Sequence, residues 1–129
     1  MGNTVTGSIV TYNNMSTIKK TLETLFDETD DVDFKLYVVD NGSVDGTPEF
    51  IEENYPNVTV IRSEKNVGFG AGHNIVIKNL DSRYHAIINP DIVLKENAIK
   101  KMAQYMDENP QIGLLSPRIC FPDGRDQIL

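Results

Sequence analysis

The sequence predicts an α/β fold, a mostly parallel sheet flanked by helices, on three observations. Short β-branched and apolar runs alternate with stretches of helical apolar spacing along the 129-residue chain. One run, Leu36-Tyr37-Val38-Val39, lacks polar–apolar alternation, as expected of a strand covered on both faces. Polar or glycine-rich segments follow the strands, and in a parallel sheet the carboxyl ends of the strands share one edge.

Each element has a local reason. Ser8-Ile9-Val10-Thr11-Tyr12 is β-branched and aromatic and reads as the first strand, broken by Asn13-Asn14. Ser16 is the expected N-cap of a helix whose apolar stripe is Ile18, Leu22, Leu25 and Phe26. The acidic stretch from Asp27 to Asp33 reads as a solvated loop. Leu36 to Val39 is the second strand, and Asp40-Asn41-Gly42-Ser43 is a turn. Thr47 is expected to cap a second helix with Pro48 at its first position; Phe50, Ile51 and Tyr55 face inward, and Pro56 ends it. Val58 to Ile61 is the third strand, and the loop from Asn66 to Gly72 opens a helix running to about Leu80. Tyr84 to Ile88 is the fourth strand. A helix from Glu96 to Asp107 buries Ala98, Ile99, Met102, Ala103 and Met106 and stops at Asn109-Pro110. Ile112 to Leu115 is expected as a fifth strand. Ile119-Cys120-Phe121 and Gln127-Ile128-Leu129 flank the turn Pro122-Asp123-Gly124, a hairpin whose second strand has barely begun. Residues 1–129 therefore read as one domain that is incomplete at its C-terminus.

Hydrophobic residues make up 40% of the chain, and its formal charge is −7. That charge argues against a nucleic-acid groove, which needs surplus lysine and arginine. A small anionic ligand remains open, because a metal or a helix N-terminus neutralises phosphate locally. Cys120 is the only cysteine, so no intrachain disulfide can form and a cytoplasmic location is expected. No apolar stretch approaches a membrane span, and no signal peptide opens the chain. Met1-Gly2 with Thr6 matches the short myristoylation pattern.

Four strand-end segments carry the candidate chemistry. Asn89-Pro90-Asp91 is the sharpest: Pro90 fixes the backbone before Asp91, and Asn89 offers a neutral oxygen two residues earlier. One carboxylate together with ligand phosphates is a normal magnesium or manganese site, although a lone strand-end aspartate more often makes a turn or a helix cap. In Thr11-Tyr12-Asn13, Tyr12 offers a face for a base; the alternative is a packed strand tyrosine. Asp40 and Asn41 present hydrogen-bonding groups to a base edge or, equally, make an Asx-type turn. The loop Gly68-x-Gly70-x-Gly72 is not the dinucleotide fingerprint, which would need glycine at His73, and no Gly-Lys-Ser/Thr follows to make a P-loop. Its glycines instead let backbone pass close to a ligand or to another helix. His73 either faces a ligand or satisfies local backbone at the helix start, and His85 reads as structural. Two histidines without a close carboxylate–serine arrangement do not make a triad.

Taken in order, Ile9-Val10-Thr11-Tyr12-Asn13, the stretch Val38 to Thr47, Asn66-Val67-Gly68-Phe69-Gly70 with Asn74, and Asn89-Pro90-Asp91 resemble the family 2 glycosyltransferases, and most of all their rhamnosyltransferase-like branch. The resemblance covers nearly the whole chain. It implies the GT-A fold and inverting transfer of a sugar, rhamnose in that branch, from a TDP- or UDP-sugar to a saccharide or lipid-linked acceptor hydroxyl in polysaccharide biosynthesis. A divalent cation, Mg2+ or Mn2+, is implied with Asp91 as its ligand. The donor nucleotide falls to Thr11, Tyr12 and Asn13, to Asp40, Asn41 and Ser43, to Asn66, Gly68, Phe69, Gly70 and Asn74, and to Asn89. Asn41 and Asn89 stand where many relatives have acids, and His73 replaces a frequent arginine. The general base that deprotonates the acceptor belongs to an acceptor half expected beyond Leu129, since Asp123 and Asp126 suit a solvated turn. The chain alone is then expected not to complete transfer. An acceptor in the membrane would hold it at the inner face, and a homodimer is compatible with the sequence. Two alternatives remain. A sugar nucleotidyltransferase needs a glycine-rich loop with a basic residue where Asn13-Asn14-Met15-Ser16 stands. The other is a non-catalytic nucleotide-binding module.

Overall fold

The computed structural model describes residues 4–127, so Met1-Gly2 of the myristoylation pattern and Ile128-Leu129 of the expected hairpin lie outside the described residues. Strands β1 (Val5–Thr11), β2 (Phe34–Asp40), β3 (Thr59–Arg62) and β4 (Tyr84–Ile88) alternate with helices α1 (Met15–Asp27), α2 (Thr47–Asn54) and α3 (Phe69–Ile77), and α4 (Ala98–Glu108) follows. Every pairing between these strands is parallel, in the order β3-β2-β1-β4. The chain steps outward from β1 to β3 and then returns to the far side of β1. Strand order therefore reverses between β1 and β4, and the crevice outside that reversal is where such sheets take ligands.

Packing follows from alternation along the strands. Val5 and Ile9 of β1, Leu36 and Val38 of β2 and Ile88 of β4 point to one face, where Ile18, Leu22 and Leu25 of α1, Ile51 of α2 and Ile99 of α4 close over them. Of the stripe expected of the first helix, Ile18, Leu22 and Leu25 are buried and Phe26 is half-buried beside them; each such side chain contributes about 1.5–3 kcal/mol on full burial. On the opposite face Val10 and Val39 meet Val76 of α3. Gly72 makes that approach feasible: a Cβ there would lie 2.8 Å from Val10 Cγ2. Gly68 has φ 88°, in the left-handed region that favours glycine, and turns the chain into α3. A Cβ on Gly70 would meet nothing within 4 Å.

Several boundaries differ from expectation. α1 starts at Met15, so Ser16 lies inside its first turn and Asn14 is the N-cap. Asn14 makes no side-chain cap; the Met15 N–H donates instead to Asp45 Oδ2 at 3.0 Å. In α2 Gly46 takes the N-cap place at φ 89°, which makes Thr47 the first helical residue rather than the cap. Residues 112–115 form no strand, and Leu114 is 90% exposed. An extended segment becomes a strand only when a neighbour completes its ladder, and none does so among the described residues. The terminal hairpin is present as far as it is described: Cys120 bridges Asp126 antiparallel, and the Gln127 N–H donates to Ile119 O at 2.9 Å.

Gly72→Ala forces Val10 off its position, and overpacking of this kind costs about 1–3 kcal/mol, read as a lower urea midpoint. Gly70→Ala, facing open space, leaves that midpoint unchanged or raises it.

Candidate functional site

The carboxyl edge of the sheet holds a crevice of about 400 Å³, within the range of roughly 300–1,000 Å³ usual for small-molecule sites. Thr11, Tyr12, Asn41, Asn66, Gly68, Phe69, Asn89 and Asp91 line it, all of them expected from the sequence. Val10, Asn14 and Pro90 also line it and were not singled out as site residues. Asn14 was legible only as a strand breaker, because its second role depends on where the neighbouring loops lie. Asn13, Asp40, Ser43, Gly70 and Asn74 are not in the lining.

Asp40 and Ser43 build the wall from behind. Asp40 is 2% exposed. Its Oδ1 accepts from Thr11 Oγ1 at 2.7 Å and Ser43 Oγ at 2.6 Å, and its Oδ2 from the Ser43 N–H at 2.9 Å and the Gly42 N–H at 3.2 Å. Of the two readings of this residue, the Asx-type turn is the one its contacts describe. Ser43 Oγ also accepts from the Asn13 N–H at 2.8 Å, and Asn13 Oδ1 accepts from the Val44 N–H at 2.8 Å. Asn13 sits at φ 55°, a conformation asparagine tolerates and most residues avoid. Asp45 completes this join between the loops. It accepts from the Met15 N–H at 3.0 Å and the Thr47 N–H at 3.1 Å, as well as from the Thr47 hydroxyl. That hydroxyl bond, more than the backbone bonds, holds the Asp45 carboxyl below its ordinary range. One carboxylate thereby serves the first turns of both α1 and α2.

Asn41 ties the second loop to the third. Its Nδ2 donates to Gly68 O at 3.2 Å, and its Oδ1 accepts from the Val67 N–H at 3.4 Å. Tyr12 and Phe69, 48% and 52% exposed, leave two aromatic faces on the crevice. Asp91 and Asn89 are exposed on its remaining wall, and no donor engages the Asp91 carboxylate among the described residues.

His73 does neither of the things expected of it. It is 2% exposed and faces the sheet, with its ring edge-to-face against Phe69 at 4.4 Å between centroids. Its Nδ1 lies 2.7 Å from Ser8 Oγ, which lies 2.8 Å from His85 Nε2; His85 Nδ1 is in turn 2.8 Å from Thr6 Oγ1. His73 Nε2 has no partner among the described residues. A bare lone pair there is cheaper to bury than an N–H, which assigns the proton to Nδ1 and directs the row His73 N–H to Ser8, Ser8 O–H to His85, His85 N–H to Thr6. His85 is structural in this arrangement, and no carboxylate joins it, so no triad forms. Burial lowers the pKa of both rings, and the proximity of His85 lowers His73 further.

Both histidines bind a proton more readily in the unfolded chain, where their pKa is about 6.5. Their contribution is complete above that pH and is lost as pH falls towards the folded values. Urea midpoints should therefore fall from pH 7.5 to 5.5, and His85→Gln should flatten the slope.

The model of the family described as glycosyl transferase family 2 matches residues 8–128. An N-acetylglucosaminyl-diphospho-decaprenol L-rhamnosyltransferase of Mycobacterium tuberculosis is 30% identical over 100 residues, which are 69% of this chain and 33% of that protein. The structure of S. aureus TarS 1-349 in complex with UDP superposes with a TM-score of 0.71 at 25% identity, over 84% of this chain and 32% of that one. The mannosyltransferase PcManGT from Pyrobaculum calidifontis, in complex with GDP-Man and Mn2+, superposes at 0.67 with 22% identity over 80% of this chain and 31% of its own, and shares the fold. The chain thus spans about a third of the length of these relatives.

Proposed function

The chain belongs to glycosyl transferase family 2, and from that premise we propose that it is the donor-binding part of an enzyme that transfers a sugar from a nucleoside diphosphate to an acceptor hydroxyl, with inversion. The observation that carries this reading is the meeting of four strand-end segments on one crevice at the β1–β4 reversal. The match to a rhamnosyltransferase favours a deoxyhexose donor, and the lipid diphosphate in that relative's name favours a lipid-linked acceptor at the membrane face. Among the described residues no helix is long and apolar enough to cross a membrane.

Each wall has a task in this reading. Tyr12 and Phe69 stack on the base and ribose, Asn14 and Asn66 supply polar contacts around them, and the buried Thr11 and Asn41 act through the segments they bond. Asp40, Asn13 and Ser43 act through the loops they hold. The start of α3, where Gly68 and Gly70 leave the backbone uncovered and Asn74 is exposed, receives the diphosphate. Asp91 and Asn89 are hard oxygen donors without partners among the described residues, which suits magnesium or manganese. No cluster of three or more His, Cys, Asp or Glu side chains among the described residues could enclose an ion alone. The donor's phosphate oxygens therefore complete the shell in this proposal. A cation bound there supplies charge neutralisation for the departing diphosphate. The general base is not assigned within the chain: Asp123 and Asp126 are paired with Arg125 and Arg118 on the terminal hairpin, outside the crevice.

UDP or TDP together with manganese should raise the melting temperature. A ligand at 100 times its Kd adds about 2.7 kcal/mol, and Asp91→Ala should remove most of the metal-dependent part. An undiminished metal-dependent shift in that variant would sink the assignment of Asp91. A purely binding module is separated by turnover: it binds the donor and releases no nucleoside diphosphate when acceptor is added.

A further inference from the structure

Asp91 reaches the crevice from a segment with no regular secondary structure, yet the backbone of that segment is held at every second residue. Thr17 Oγ1 donates to Pro90 O at 3.0 Å, and Thr21 Oγ1 lies 2.8 Å from Ile92 O and 3.0 Å from Pro90 O. The Leu94 N–H donates to Thr24 Oγ1 at 3.1 Å. Residues 90, 92 and 94 thus turn backbone groups toward α1, and residues 17, 21 and 24 meet them from one row of the helix. This row flanks the apolar stripe of Ile18, Leu22 and Leu25. Side chains follow the same alternation: Ile92 and Leu94 pack against the core, whereas Asp91 and Val93 are exposed.

Thr21 is the centre of the row and is fully buried at 0% exposure. Its hydroxyl has a single proton for three carbonyls, those of Thr17, Pro90 and Ile92, of which Ile92 O is nearest. If the segment slipped by one residue, Ile92 would be turned outward, Asp91 would face the core, and a carboxylate would be buried without a partner. We propose that Thr21 is a positioning residue for the metal site: through its hydroxyl it sets the register of residues 90–94 on α1 and so keeps Asp91 directed into the crevice. The inference rests on the reading of Asp91 as the metal ligand. Thr21 touches neither donor nor ion, and acts on the carboxylate as outer groups orient a ligand elsewhere.

The test is manganese binding to the full chain in the presence of UDP, measured by calorimetry, with UDP binding in EDTA measured alongside. Thr21→Val keeps the shape and removes the hydroxyl; Thr21→Ser keeps the hydroxyl and removes a methyl. Thr21→Val should weaken manganese binding by about ten-fold or more and leave UDP binding in EDTA unchanged, whereas Thr21→Ser should bind manganese like the wild type. If Thr21→Val does not fold, Thr24→Val takes its place; the half-buried Thr24 is the acceptor of the Leu94 N–H, and its loss should weaken manganese binding in the same direction. Wild-type affinity for manganese in the valine variant, or equal losses in the valine and serine variants, overturns the proposal. Wild-type protein that binds UDP but no manganese overturns the metal reading itself, and this inference with it.

Discussion

Pairing of β1 on both edges is the constraint from which the rest follows. The strand bonds to β2 on one side and β4 on the other, always in parallel, and all seven of its residues are buried. A strand so placed brings the loop after it between the loops that follow its neighbours. Tyr12 and Asn14 must then lie beside Asn41 and beside Asn89 to Asp91, whatever those side chains are. The reversal of strand order opens the gap between them, with α1 after β1 on one face of the sheet and α3 before β4 on the other.

Such an edge is polar backbone with few regular partners, and it holds together because side chains stand in for the missing ladder. Asp40 takes four donors, Asp45 serves the first turns of two helices, and Asn41 grips the glycine loop. Some of these bonds brace a single turn, and others, from Thr11 to Asp40, Met15 to Asp45 and Asn41 to Gly68, run between segments, so the crevice is shaped before a ligand arrives, which lowers the ordering cost of binding. Asp91, Asn89, Tyr12 and Phe69 are then the ones with spare hydrogen-bonding capacity or open faces on the crevice. The face under α3 follows the same rule in the core. Thr6, Ser8, His85 and His73 are all polar, and each finds the next in a single directed row.

Much of this was legible in the residues. Helical spacing in α1, the unbroken apolar run of β2 and the strand-end placement of Asn89-Pro90-Asp91 follow from rules of period two and 3.6 that need no partner to apply. Eight crevice residues could be named because strand ends share an edge in a parallel sheet. The expectations that failed were those that depend on a distant neighbour. Ser16 and Thr47 carry the chemistry of N-caps, but Asp45, two residues before Thr47, bonds the first turn of α2 and also reaches that of α1 from across the loops. Residues 112–115 have the composition of a strand and no edge to join among the described residues. His73 and His85 looked like separate helix-start and strand residues because nothing in a linear pattern reports that Ser8 lies between them.

The sequence by itself determined the α/β class, the order of its elements, the resemblance to family 2 glycosyltransferases and the strand-end segments that meet on the crevice. These are set by local pattern and by the side chains available at strand ends. Only the tertiary structure decided how those groups divide between support and ligand: that Asp40 is spent on its own turn, that Gly72 is needed by Val10 rather than by a ligand, and that threonines on α1 hold the segment bearing Asp91. The physical reason is that a hydrogen bond or a close contact is a property of two groups in space. Thr21 and Ile92 lie 71 positions apart in the chain, and no local pattern records that they meet.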